Sequence, residues 1–310
     1  MNADPKHEQI PPGLASALHS TKSPAGGTAG GPTVQRILLG AQLRRLREIT
    51  GISRGDAANA IRATQSKISR LELGRSSFKQ RDVADLLACY GVTDSQQREA
   101  LLNLARSASS PGWWHQYSDV IPHWLELYVG LEEAAWLIRT YEVQFVHGLM
   151  QTEDYARAVI SLRHARSPAH EVDQRIALRM RRQQILHRPD GPRLWAVIDE
   201  AALRRPLGTR QVMRGQLKHL IELIELRQVT LQIVPFDVGG HAAAGGPFTL
   251  LRFPALDLPD LVYLEQLNSA LYLDKPADID DYTQTMDQLC VEAQSADRTH
   301  ELLEAILADT

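Results

Sequence analysis

Along the first third of the chain, apolar residues recur at three- and four-residue intervals in short runs, each ended by a glycine or a small polar residue. Leu39, Leu43 and Leu46 fall on one stripe while Arg44, Arg45 and Glu48 lie off it, which predicts a helix from Val34 to Thr50. Gly51 stands where a left-handed residue would close that helix. Ser53 is placed to cap a second, short helix, with Asp56 as a weaker capping-box partner and Ala57, Ala58 and Ile61 facing inward. A turn at Arg62-Ala63 leads to Thr64, the natural N-cap of "TQSKISRLELG", in which Ile68 and Leu71 point inward and Gly74 ends the run. A fourth helix carries Val83, Leu86, Leu87 and Tyr90. A fifth is predicted to begin at Thr93, with Gln96 as its capping-box partner, and carries Leu101, Leu102 and Leu104.

"RSASSPGWWH" breaks the helical period and marks a boundary near Ser107 to Gly112. Beyond it, strand and helix patterns alternate. "WLIRTYE", "LWAVID", "VTLQIVPF", "FTLLRF" and "LVYLEQL" read as five strands of one sheet. Helices are predicted at Thr152–Arg163, Val172–His187, Thr209–Leu226, Ile279–Ala296 and Thr299–Leu307. The fold expected is an N-terminal all-α bundle of five helices followed by an α+β body, a mixed sheet with helices. The division expected is an arm over residues 1–33, a helical module over 34–108 and the α+β body over 109–310.

Charge changes how this outline is read. The chain as a whole carries −3, but residues 34–81 hold eleven Lys or Arg against Glu48, Asp56 and Glu72, a net +8, which leaves −11 beyond residue 81. A basic module joined to an acidic body is the layout expected when one part meets phosphates and the other does not. The predicted third helix adds the matching chemistry. Its outer and leading surface holds Gln65, Ser66, Lys67, Ser69 and Arg70. Glutamine can bond an adenine edge in two places, arginine a guanine edge, and serine or lysine can reach bases or phosphates. Arg75 and Lys79 follow where a duplex backbone would pass.

These five helices resemble the DNA-binding domain of the Cro/cI-repressor type, the Xre-like helix-turn-helix family, over about Arg36 to Arg106. The resemblance rests on "LRRLREITGIS", on Ala57-Ala58 and above all on "TQSKISRLELGR". It implies that Gln65, Ser66 and Arg70, with Lys67 beside them, contact bases and that Arg54 and Arg75, with Lys79, contact phosphates. It further implies that Arg47 and Glu72 form a structural ion pair between the first and third helices, and that the protein binds double-stranded DNA as a homodimer. Two positions depart from the pattern: Arg62 where the turn often has glycine, and Arg54 in place of a frequent glutamine.

The body carries a second resemblance. "YVGLEEAAWLIRTYEVQFVHGLMQTEDYA", "RIALRMRRQQIL", "VIDEAALRR", "LQIVPF" and "GPFTLLRF…LVYLE" are similar to the C-terminal domain of WhiJ-like actinobacterial regulators, which are described as antitoxin-like or developmental. His147 stands where that pattern usually has proline, and Met150 where it has leucine. The resemblance implies a small partner protein encoded nearby.

The remaining features narrow the functional classes. Two separated cysteines, Cys89 and Cys290, supply neither a disulfide framework nor a cysteine metal site, and no apolar run is long enough to span a bilayer. The first 32 residues, rich in Pro, Gly, Ala and Ser, lack a signal-peptide pattern and read as a flexible arm, so a cytoplasmic, nucleoid-associated protein is expected. No catalytic motif, metal set or cofactor fingerprint stands out, and no enzyme is expected. Trp113, Trp114, Glu200, His241 and Glu265 are the candidates for a pocket or partner site in the body, where a small-molecule ligand is the second candidate beside a partner protein. Three functions therefore stand beside one another. The first is a sequence-specific regulator controlled through its body, and the second an antitoxin-like interaction protein whose DNA binding is autoregulatory. The third is a DNA-tethered hydrolase using His241 with Glu200 or Glu265.

Overall fold

The computed structural model describes residues 31–254 and 258–310. The predicted arm lies outside the described residues up to residue 30. Its last residues do not belong to an arm: Pro32 and Thr33 form the first turn of α1 (Pro32–Ile49), where proline's missing N–H would have no partner anyway. Gly51 takes φ +67° and ends α1 as expected. α2 (Arg54–Ala60) is capped by Ser53, whose Oγ accepts the Asp56 N–H at 3.1 Å. α3 (Gln65–Glu72) is capped by Thr64, whose Oγ1 accepts the Lys67 N–H at 3.2 Å. α4 (Gln80–Cys89) and α5 (Ser95–Ala108) complete the bundle. The start of α5 falls one residue later than predicted. Asp94 caps it by accepting the Gln97 N–H at 2.6 Å, because a charged acceptor suits the positive end of a helix better than a hydroxyl.

Inside the bundle, Leu39, Leu43, Ile68, Leu71, Leu86 and Leu87 are almost fully buried in one cluster. α1 and α3 touch closely at Gly40, where a Cβ would collide with the Leu71 carbonyl. The N-terminal half of α1 serves a different core. Val34 packs with Tyr128 and Leu131 in the cluster beneath the sheet. One helix is thus shared by the bundle and the body.

The body is built on six strands: β1 (Leu137–Glu142), β2 (Arg193–Asp199), β3 (Val229–Val234), β4 (Phe248–Arg252), β5 (Leu261–Glu265) and β6 (Ala270–Leu273). Their order is β3-β2-β1-β4-β5-β6; the first three are parallel and the others pair antiparallel. The five expected strands are all present. β6 was not expected, because a four-residue edge strand with half-exposed side chains carries little periodicity.

Helices α7 (Glu153–His164), α8 (Ala169–Gln183), α10 (Arg210–Leu223) and α12 (Ala296–Asp309) correspond to four of the predicted helices, and α11 (Pro276–Glu292) to the fifth, with ends shifted by a few residues. A short α9 (Glu200–Arg204) follows β2. The larger core lies on one sheet face, where Ile138, Ile198, Ile233 and Leu251 meet Leu217 and Leu220 of α10 and Leu303 of α12. On the other face Val197, Leu250 and Val262 meet Met286 and Leu289 of α11. Like the short α9, one longer helix has no counterpart among the predicted helices: α6 (His123–Ala134). Tyr128, Val129 and Leu131 are buried and Trp124, Leu125 and Leu127 half-buried, so its apolar residues form no single stripe. It is wedged against α1, where a side chain at Gly130 would overlap Thr33.

Candidate nucleic-acid interface

The third helix of the bundle presents its polar side to solvent, and three features fix it there. Thr64 holds its first turn, Ile68 and Leu71 anchor its inner face at 1% exposure each, and Glu72 ties its last turn to α1. The predicted Arg47–Glu72 pair is present and bidentate: Arg47 Nε and Nη2 donate to the two Glu72 oxygens at 2.5 and 3.1 Å. Both side chains are more than nine-tenths buried, and the hydrogen bond to Glu72 holds the guanidinium more firmly protonated. Arg47 also donates to the Ile52 carbonyl at 3.1 Å, so one side chain braces α1, the following turn and α3.

Among the residues expected to read bases, Gln65, Ser66 and Arg70 are exposed on the outer face of α3. The Gln65 amide lies beside Gly55 of α2, where even a Cβ would sit 3.2 Å from its nitrogen. Lys67 differs. Its ammonium group is 2.6 Å from the Asp82 carboxylate of α4 and is largely covered, so it is committed to holding α3 and α4 together. Among the residues expected to meet phosphates, Arg75 and Lys79 are exposed. Arg54 is half-exposed and leans on Glu72 at 3.3 Å, sharing that carboxylate with Arg47. Arg44, Arg45, Arg62 and Arg81 are also exposed along the same segment.

Arg62, which departs from the usual glycine, reaches the required geometry with a side chain: its φ is +54°, the one positive value at a non-glycine residue among those described. Left-handed backbone at such a residue costs about 1 kcal/mol. Arg62→Gly is therefore expected to raise stability by roughly 0.5–1 kcal/mol in urea unfolding without DNA. A loss of stability would show that the arginine side chain, not the backbone, governs this turn.

The candidate residues of the body do not converge. Trp113 donates to Glu133 at 3.2 Å, whereas Trp114 is buried against α6 at Gly130. Glu200 is buried and structural: it accepts the Phe236 N–H at 2.9 Å and the Arg204 guanidinium at 2.5 Å. His241 Nε2 lies 2.9 Å from the Tyr141 hydroxyl and 3.8 Å from Asp199. Its Nδ1 accepts the Ala243 N–H. These contacts pin the glycine-rich loop to the ends of β1 and β2. Glu265 accepts the Tyr263 hydroxyl at 3.1 Å, and Tyr263 belongs to the core on the opposite sheet face from Tyr141. Among the described residues no cluster of His, Cys, Asp or Glu could hold a metal ion, and no helix is long and apolar enough to cross a membrane.

Comparison with known families agrees with this geometry. A family model described as a helix-turn-helix domain matches residues 38–101. A second, described as "Domain of unknown function (DUF5753)", matches residues 125–305. No curated protein and no solved structure matches the chain.

Proposed function

We propose that this chain, which belongs to the domain-of-unknown-function family DUF5753 and carries a helix-turn-helix domain, is a sequence-specific transcriptional regulator that reads the major groove with α3. The helix-turn-helix makes it a DNA-binding regulator. The finer assignment is carried by one observation: Gln65, Ser66 and Arg70 are exposed together on a short helix held in place by a buried ion pair. In this reading residues 34–108 are the DNA module and residues 109–310 the regulatory body. Arg75, Lys79 and the exposed part of Arg54 grip phosphates, which fixes register without carrying sequence information. Lys67, paired with Asp82, supports the reading helix and contributes positive potential. A single helix of this size reads few base pairs, so two copies on half-sites about one helical turn, ~34 Å, apart are needed for a specific operator.

Arg70→Ala is expected to weaken binding to the preferred duplex by about 1–3 kcal/mol and to leave random DNA nearly unaffected. Arg75→Ala is expected to weaken both alike and to lower the salt slope by about one. Equal losses on preferred and random DNA for Arg70→Ala would remove it from the reading surface.

The antitoxin-like reading, in which the body holds a small partner protein, draws support from the sheet edge. Among the described residues β6 ends the sheet, and the hairpin that carries it exposes Leu267 and Leu271. An unpaired edge flanked by exposed leucines is a surface on which another chain can add a strand. In that case the body, through α6 and the shared α1, is where a bound partner would act on the DNA module.

A further inference from the structure

On the α11 side of the sheet, four adjacent strands and the last turns of α11 enclose an open-sided cleft of about 490 Å³. Leu137 and Arg139 of β1, Trp195 of β2, Gln232 of β3 and Arg252 of β4 form its floor, and Val291 of α11 its rim. The volume is that of a small-molecule site. The glycine-rich loop with His241 is held elsewhere on this face, by Tyr141 at the end of β1, and belongs to no part of the cleft.

Arg139 is the unusual group. It rises from the middle of a sheet, is 6% exposed, and lies over the Trp195 ring at 5.0 Å. A buried guanidinium is costly unless its N–H groups are met. Here Nη2 is 2.6 Å from Asp287 and 3.5 Å from the Cys290 sulfur, while the buried Nε has no hydrogen-bond partner among the described residues. Its counter-ion is also a loose one, because the Asp287 side chain is 63% exposed on the surface of α11. The Trp195 indole is fixed by donating to Gln232 at 2.8 Å, and Gln232 in turn donates to the Cys290 carbonyl at 3.1 Å. Above this floor the apolar side chain of Val291 is 85% exposed, uncovered among the described residues. Arg252, across from Leu137 in the strand register, supplies a second guanidinium at the mouth and is paired with Asp260 at 3.2 Å.

We infer that this cleft is a binding site for a small carboxylate with a flat apolar body. The carboxylate would accept from Arg139 Nη2 in competition with Asp287, with Arg252 adding attraction at the mouth. The apolar body would lie between Leu137, the Trp195 edge and Val291. The site lies wholly in the body and needs no DNA, so it stands or falls separately from the DNA-reading assignment.

The test is calorimetric titration of the full chain, without DNA, using 2-naphthoate as the probe and 2-naphthamide as its uncharged counterpart. The expected result is saturable one-to-one binding of the carboxylate, with the amide at least tenfold weaker. Arg139→Gln should weaken naphthoate binding at least tenfold. Val291→Glu, at an exposed position where the fold tolerates a charge, should do the same by blocking and repelling the probe. Asp287→Asn should tighten binding by removing the competitor. Absence of saturable naphthoate binding, equal binding of acid and amide, or unchanged affinity in Val291→Glu would each overturn the assignment.

Discussion

Glu132→Ala is expected to destabilise the protein by about 3–5 kcal/mol, the range for breaking a buried ion pair from one side. Glu132 of α6 receives Arg182 of α8 through two hydrogen bonds of 2.9 and 2.8 Å, and both side chains are more than nine-tenths buried. The guanidinium also lies over the Tyr128 ring at 5.4 Å. Burial works against the charge of Arg182, yet Glu132 holds its pKa above the usual arginine value. The surroundings cannot replace the lost carboxylate. Burial pushes neighbouring His147 down to about 3, where it stays neutral, and Arg179 down to about 10. Burial also pushes Glu142 up to about 8, so at neutral pH that carboxyl is mostly protonated. Removing Glu132 thus leaves an unpaired charge in the interior. Replacing both partners, Glu132→Leu with Arg182→Met, is expected to recover most of the loss, because the desolvation cost disappears with the charges. Because Glu132 lies on the helix against which α1 packs, the unfolding transition of Glu132→Ala should include the DNA module. Urea unfolding of the two variants decides the matter; a loss below about 1 kcal/mol for Glu132→Ala would contradict the pair's role.

Glu72→Ala has the second-largest expected effect, a loss of about 3 kcal/mol, for it strands Arg47 in the bundle and releases Arg54. The consequence for DNA is more telling than the stability. Removing an acidic residue makes the module more basic, so electrostatics alone would strengthen binding to any duplex. The brace instead sets the seat of α3, and if α3 reads bases as proposed, a displacement of about 1 Å costs the bidentate geometry. Glu72→Ala is therefore expected to lose affinity for the preferred duplex while random DNA is held as well or better. Competition binding at fixed salt separates the two, and parallel strengthening on both duplexes would show that the pair does not position the helix.

Much of the helical module is legible in the sequence, for physical reasons that differ along the chain. Ser53 and Thr64 cap their helices as expected, because capping depends on a side chain and a backbone N–H only three residues apart. The Arg47–Glu72 pair was legible only through resemblance to a known family, since nothing in a 25-residue separation announces a contact. Lys67 shows the converse: its partner Asp82 lies just past the basic segment, and the pairing depends on how α4 crosses α3. In the body five of the six strands announced themselves, but α6 did not, because a helix enclosed on several sides loses the stripe that reveals it. The cleft around Arg139 was invisible for a related reason. Its floor takes one or two residues from each of four strands, and only the register brings Arg139 beside Trp195. Among the candidates for a pocket or partner site in the body, His241 and Glu265 lie apart for the same reason, since their partners Tyr141 and Tyr263 belong to the cores on opposite sheet faces.

The central claim, that α3 reads a defined sequence, is tested most directly by selecting duplexes from a random pool with the full chain and with Arg70→Ala. The account predicts that the full chain enriches one motif with two related half-sites about one helical turn apart, and that Arg70→Ala loses preference at one position of each half-site. Enrichment of no motif, with binding governed by salt alone, would contradict it.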